Sequence, residues 1–130
     1  MDTTIPTLTA TIDTHLAGYA EPDPDRRREL LTAAWQPTGS LVDPPLEGTG
    51  VDAIAGLVDA VLAHYPGHRF VRTTDVDAHH GYARYGWTLV GPDGSAAVTG
   101  TDVATVGDDG KLVSVVDFFG DLVPAADTTP

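Results

Sequence analysis

Residues His79 to Phe119 read HHGYARYGWTLV-GPDG-SAAVTGTDVATV-GDDG-KLVSVVDFF. Three runs rich in β-branched and aromatic residues are joined by two turn sequences, Gly91-Pro92-Asp93-Gly94 and Gly107-Asp108-Asp109-Gly110. This pattern predicts an antiparallel meander. Centring the first turn between Pro92 and Asp93 sets Trp87 opposite Val98, Tyr85 opposite Gly100 and Ala83 opposite Asp102. Centring the second between Asp108 and Asp109 sets Asp102 opposite Val115 and Gly100 opposite Asp117. Alternation then sorts the side chains onto two faces. One face holds Ala83, Tyr85, Trp87, Leu89, Ala96, Val98, Gly100, Asp102, Ala104, Val113, Val115, Asp117 and Phe119. It is apolar except for its two aspartates. The other carries Arg84, Thr88, Thr99, Thr101, Thr105 and Ser114 with Val103, Val116 and Phe118, a mixture that suits contact with a second copy better than open water. Gly86 marks the point where this register is most open to a bulge.

Helices precede the meander. Leu8, Ile12, Leu16 and Tyr19 recur at helical spacing and predict a first amphipathic helix that ends between Gly18 and Ala20. Asp23 before Pro24 is a helix start, a capping side chain followed by a proline in the first turn. That second helix turns Leu30, Leu31 and Ala34 inward and leaves Arg26, Arg27 and Arg28 on its solvated side. Trp35 to Val42 reads as a short, interrupted extended segment that ends at Asp43-Pro44-Pro45, and residues 46–50 read as a loop. Ile54, Leu57, Val58, Val61, Leu62 and Tyr65 give the strongest helical pattern, which Pro66-Gly67 ends. His68 to Val76 is a further strand. Helices first and strands afterwards is the order of an α+β domain. One domain over residues 1–120 and a polar tail over 121–130 account for the whole length.

The composition excludes several classes of function. Seven Lys and Arg stand against 19 Asp and Glu, a formal charge of -12, which repels phosphate backbones and makes nucleic acid an unsuitable partner. There are no cysteines, hence no disulfides and no thiolate metal sites. The N-terminal residues lack the basic start and apolar run of a signal peptide, and no stretch is long enough for a membrane span. A cytoplasmic protein without membrane partners is expected. No glycine-rich loop connects a strand to a helix, so the common nucleotide sites are missing and no cofactor is expected. His79 and His80 are adjacent and point to opposite faces of a strand, and no third ligand has suitable spacing, so no metal site is expected. By the same parity His79 shares the inward face.

Asp102 is the residue that singles out a site. A mid-strand carboxyl among apolar side chains is costly to ionise, and its pKa rises. Carboxyls are rarely placed there for packing alone. Asp117 shares its face nearer a strand end.

The run Ala97-Val98-Thr99-Gly100-Thr101-Asp102, continued through Asp109-Gly110-Lys111-Leu112-Val113 to Phe118-Phe119-Gly120, resembles the nuclear transport factor 2-like (NTF2-like) superfamily, which includes the ketosteroid isomerases and the SnoaL-like polyketide cyclases. The likeness extends in element order over nearly the whole chain. It implies three N-terminal helices on a strongly curved antiparallel sheet, a cone-shaped α+β barrel around one apolar pocket. In the isomerases the general base is an Asp followed by Pro after the short first strand, and Asp43-Pro44 matches it. The neutral acid on the penultimate strand corresponds to Asp102; that enzyme is the standard example of a carboxylic acid kept neutral by an apolar site. The family's oxyanion tyrosine falls here on His15, with Tyr19 one turn further on. The resemblance therefore implies catalytic roles for Asp43, Asp102 and His15. Tyr19, His79, Tyr85, Trp87, Val98, Val115, Asp117 and Phe119 would line the substrate site. The implied activity is acid–base chemistry on a hydrophobic, ring-bearing ketone, as an isomerase or cyclase. The alternative is a non-catalytic ligand-binding protein or dimeric scaffold, in which Asp43-Pro44 is an ordinary turn. A homodimer through the outer sheet face is expected in either case.

Overall fold

The computed structural model describes residues 5–126, with side chains from residue 7 onward. Three helices and a seven-stranded sheet follow in the order α1 (Ile5–Ala20), α2 (Pro24–Ala34), β1 (Trp35–Asp43), β2 (Leu46–Thr49), α3 (Val51–His64), β3 (Arg69–Arg72), β4 (Asp77–His79), β5 (Tyr82–Val90), β6 (Ala96–Val106) and β7 (Leu112–Phe119). The α+β architecture predicted above is the one observed. The sheet runs β2-β1-β7-β6-β5-β3, with β4 also on β5. It is mixed rather than purely antiparallel, because β1 lies parallel to β7. Residues 46–50, read as a loop, instead begin with strand β2, which folds back on β1 around Pro44-Pro45.

The helices form where apolar spacing and caps coincide. In α1, Leu8, Ile12, Leu16 and Tyr19 are all buried, each side chain contributing roughly 1.5–3 kcal/mol by leaving water. Asp23 caps α2 by accepting from the Asp25 N–H, and Pro24 opens the helix. Leu31 and Ala34 are buried and Leu30 half-buried. Arg27 departs from the solvated side assigned to it. It is 4% exposed, pairs with Asp59 of α3 and donates from Nε to the Glu21 carbonyl at 2.9 Å, so it joins the two helices. Gly50 opens α3 at φ 90°, a conformation that favours glycine.

Both hairpins of the meander are shifted from the predicted register, and both by two residues. Tyr85 pairs with Asp102, Trp87 with Gly100 and Leu89 with Val98. Asp102 pairs with Asp117, and Gly100 with Phe119. Each hairpin contains a bulge beside its turn. Ala97 is the extra residue between the Leu89–Val98 and Val90–Ala96 pairs, and Val113 the extra one between Thr105–Ser114 and Val106–Leu112. A shift of two preserves which face a side chain occupies, so the faces hold over most of the meander. The exceptions sit at the bulges and strand ends. Val113 is exposed while Leu112 is fully buried in its place, and Ala96 is exposed beside its turn. At Gly86 the β5–β6 pairing runs on unbroken; the irregularity lies across from it, where residues 73–76 separate β3 from β4 and Thr74 Oγ1 accepts from the Gly86 N–H at 2.8 Å.

His79 belongs to β4 rather than to a longer β5. The chain reverses at His80 (φ 52°) and Gly81 (φ 79°), and two successive positive φ values are the geometry of a tight two-residue hairpin. The sequence shows the glycine but gives no sign that a histidine before it adopts positive φ. After Phe119 the described residues carry no regular structure and are exposed. No helix among the described residues is long and apolar enough to cross a membrane.

Candidate functional site

The corrected register has a chemical consequence. Asp102 on β6 stands beside Asp117 on β7 and beside Tyr85 on β5. On the other side of β7, Val42 pairs with Val116, so the next residue of β1, Asp43, falls beside Asp117. Four adjacent strands thus bring Asp43, Asp117, Asp102 and Tyr85 into one row on the inner face. All four are buried, at 8%, 7%, 2% and 2% exposure. Asp117 stands between the other two carboxyls, opposite Asp102 on β6 and alongside Asp43 on β1.

Trp87 closes the row from below. Its Nε1 donates to Asp102 Oδ1 at 2.7 Å. The indole reaches Asp102 because its cross-strand partner is Gly100. A Cβ built on Gly100 would collide with the Trp87 ring and the Phe118 carbonyl. The glycine therefore provides the trough in which the indole lies.

Burial without a cation dominates the electrostatics. Desolvation raises the pKa of Asp102, opposed by hydrogen bonds from Asp117, Tyr85 and Trp87. Desolvation likewise raises Asp43, with a lowering contribution from its hydrogen bond to Asp117 and a raising one from the charge of Asp102. Asp117 is pushed furthest, to about 11, by burial and then by its hydrogen bond to Asp102 and the charges of both neighbours. It is a neutral carboxylic acid at pH 7. The Tyr85 hydroxyl lies within reach of Asp102, and the Tyr19 hydroxyl has no hydrogen-bond partner among the described residues. Both phenols are raised, first by burial and then by the carboxyl charges of the row. Buried hydroxyls without partners are uncommon in folded proteins.

A cavity of about 430 Å³ opens against this row. Asp43, Trp87, Val98 and Phe119 line it, as expected from the sequence. So do Pro44, Leu46, Val61, His64, Tyr65, Phe70 and Leu89, which the sequence reading did not assign to the site. Edge-to-face contacts connect Phe119 to Trp87 (5.9 Å), Trp87 to Phe70 (5.3 Å) and Phe70 to Tyr19 (5.1 Å), a run of aromatic rings across four elements. Phe70 could have been found from the alternation of β3, and Tyr65 from the α3 pattern that already turned it inward. Tyr19, Asp102, Asp117, Tyr85 and Val115, expected at the site, lie behind the cavity wall in the core rather than on its surface. A larger groove of about 670 Å³ runs between α1, α2 and β3, but it is open to solvent, and its Arg72–Asp13 pair satisfies its own charges. The row of buried carboxyls borders the smaller cavity.

Two expected site residues sit elsewhere. His79 is exposed on the short β4 and touches His80, away from the cavity. His15 is buried in the core, where Trp35 Nε1 donates to its Nδ1 at 3.0 Å. Burial lowers its pKa to about 3, so the ring is neutral and accepts through Nδ1. It supports Tyr19, ring centroids 4.7 Å apart, and makes no ion pair with Asp102. No cluster of His, Asp and Glu among the described residues has the arrangement of a metal site.

No family model and no curated relative matches the chain. Solved structures do. An inferred SnoaL-like polyketide cyclase from Jannaschia superposes with a TM-score of 0.70 at 14% identity, over 88% of this chain and 85% of that one. An NTF2-like protein of unknown function from Exiguobacterium gives 0.64 at 22% identity, over 86% and 99%. These two share the fold. An inferred isomerase of the SnoaL-like family from Agrobacterium tumefaciens is nearer, with a TM-score of 0.82 and 34% identity over 89% of this chain and 99% of that one. An identity of that size over almost the full length of both chains, on the same three helices and mixed sheet, makes this protein a member of the SnoaL-like family with the NTF2-like fold.

Proposed function

We propose that the protein is an isomerase or cyclase that moves a proton at the carbon beside a carbonyl of a hydrophobic, ring-bearing ketone. The observation that carries this reading is the row of three buried carboxyls, with no cation to pay for them, at the wall of an apolar cavity. Asp43 is the base, because it alone of the three lines the cavity. It takes the carbon proton, and the electron pair of the broken C–H bond moves onto the carbonyl oxygen as an enolate. The hydroxyls of Tyr19 and Tyr85, which lie behind the cavity wall, would stabilise that oxygen once the ligand reaches past Phe70 and Trp87. Trp87, Phe70, Leu89, Val98 and Phe119 hold the rings, and His15 acts on Tyr19 rather than on substrate. The names of the solved relatives, an isomerase and a cyclase, agree with chemistry of this class. The test is uptake of solvent deuterium beside the carbonyl in a panel of polycyclic ketones. Uptake above the uncatalysed rate supports the reading, whereas binding without uptake favours a carrier.

We also propose that two copies associate through the outer sheet face. Val103 (39% exposed), Phe118 (56%) and Val42 (39%) stand there with Thr99 and Thr101, an apolar patch of the kind that homodimers cover. Light scattering at micromolar concentration should give twice the chain mass of 13.6 kDa, and Phe118→Lys should halve it. A monomeric mass for the unsubstituted protein would refute this assembly.

A further inference from the structure

Among the described residues, the side chains that line the cavity are apolar except for Asp43, His64, Tyr65 and Trp87. The Trp87 N–H is already given to Asp102, and Asp43 is the base of the reading above. That leaves His64, the last residue of α3, and Tyr65, which caps the helix. Neither side chain has a hydrogen-bond partner among the described residues, and each can both donate and accept.

Their place on the helix sets them apart. Ile54, Val58, Val61 and Tyr65 recur at helical spacing, with Leu57 and His64 alongside, so they share one face. Ile54 and Val58 are fully buried, and Val61 is half-buried. The stripe is apolar where it packs into the core and turns polar where it reaches the cavity. Polar groups that served only solubility would sit on the opposite face. Tyr65 is also held in place. Its ring meets those of His64 and His68 edge-on, with centroids 5.4 and 5.3 Å away. His68 is itself tied through Nδ1 to the Pro66 carbonyl oxygen at 2.9 Å, and the Tyr65 N–H donates to the Val61 carbonyl at 2.9 Å. A ring fixed in this way loses little freedom when a ligand binds.

The charge of that ligand is restricted too. No Lys or Arg lines the cavity, Asp43 does, and the chain carries a formal charge of -12, so a carboxylate or phosphate would be repelled. A hydroxyl or carbonyl oxygen suits two groups that both donate and accept. We infer that the ligand of this cavity carries a second, neutral oxygen besides its ketone, and that His64 and Tyr65 hold it. The inference rests on the cavity being the ligand site proposed above, but not on the proton transfer.

Isothermal titration with three flat phenols tests it. They are 2-naphthol, with one oxygen, and 2,6- and 2,7-dihydroxynaphthalene, each with a second oxygen at the far end of the rings. At least one dihydroxy probe should bind the unsubstituted protein about threefold to tenfold more tightly than 2-naphthol, the worth of one net hydrogen bond. Equal or weaker binding of both would overturn the inference, and this comparison requires no variant. The double variant His64→Phe, Tyr65→Phe keeps two aromatic rings and removes their polar atoms. It should bind 2-naphthol as the unsubstituted protein does and lose the preference for a second oxygen. A preference that survives in the double variant would overturn the inference. Deuterium uptake separates this result from the activity. A preference for the second oxygen with no uptake by any ketone would refute the proton transfer and leave the contact standing. Uptake without the preference would do the reverse. Failure of all three phenols to bind would refute the cavity as the ligand site, and this inference with it.

Discussion

Asp43→Asn loses deuterium uptake by a factor of about 10² to 10⁴, the range that one general base supplies. The substitution is nearly isosteric and removes the proton acceptor at the cavity wall while leaving an acceptor oxygen for Asp117. Ligand affinity should change little, because the apolar wall of Trp87, Phe70 and Phe119 is untouched. The loss therefore belongs to the rate constant rather than to KM. Trp87→Phe has a smaller effect of a different kind. It removes the N–H that holds Asp102 at 2.7 Å and should slow uptake by about tenfold, the worth of one hydrogen bond to a buried acid. An Asp43→Asn variant that exchanges at the unsubstituted rate would remove Asp43 from the mechanism.

Stability should fall as pH rises, and Asp117→Asn should abolish most of that fall. The folded-state pKa of Asp117 is raised to about 11, whereas an aspartate in an unfolded chain ionises near about 3.9. Between these values the native state holds a proton that the unfolded chain has released. Folding then takes up a proton, so its contribution is fully present below about pH 4 and is lost as pH climbs toward the folded value, by up to about 1.4 kcal/mol per pH unit. Asp43 and Asp102 are raised as well and act in the same direction. Asparagine fits the same space without an ionisation to suppress. Its variant should melt at least about 5 °C higher than the unsubstituted protein at pH 8, and the difference should shrink toward pH 4. The same Tm difference at both pH values would mean that Asp117 is ionised in the native state, against the electrostatics described.

The cost explains why such a row is informative. Three carboxyls without a cation work against folding, and an equivalent row of valines would suit this core better. Natural cores keep such groups where they do chemistry more often than where they pack. This is the same physical argument that singled out Asp102 from sequence, now applied to a set of three.

How the sequence reading succeeded and failed can be traced to individual residues. The turn sequences at Gly91–Gly94 and Gly107–Gly110 determine the hairpins, and period-two alternation determines the faces. Each turn is centred one residue away from the predicted pairing and each bulge adds one more, so the pairing slips by two and Tyr85, Trp87, Asp102, Val115 and Asp117 remain inside. The slip still conceals the central feature of the site. In the predicted register Asp102 faces Val115 and Asp117 faces Gly100, so the two acids look unrelated; in the observed one they are partners. Nothing local to Ala97 or Val113 marks a bulge, because both are compatible with a regular strand. The parallel β1–β7 contact that brings Asp43 alongside Asp117 joins segments far apart in sequence, where periodicity carries no information. Arg27 was misplaced because a run of three arginines looks solvated, and its partner Asp59 lies 32 residues away on another helix. Phe70 was legible in the alternation of β3, whereas His64, the last residue of α3, enters the cavity through tertiary packing that no local pattern reveals.

The most direct measurement is a crystal structure with a flat, ring-bearing phenol in place of the enolate, since a phenolate mimics its charge and geometry. The account predicts that the phenolic oxygen lies within hydrogen-bond distance of the Tyr19 and Tyr85 hydroxyls, with the rings against Trp87 and Phe119 and a free Asp43 oxygen over a ring carbon near the phenol carbon. A phenol seated in the groove between α1 and β3, or an Asp43 turned away into the Pro44-Pro45 loop with neither tyrosine hydroxyl on the phenol, would contradict it.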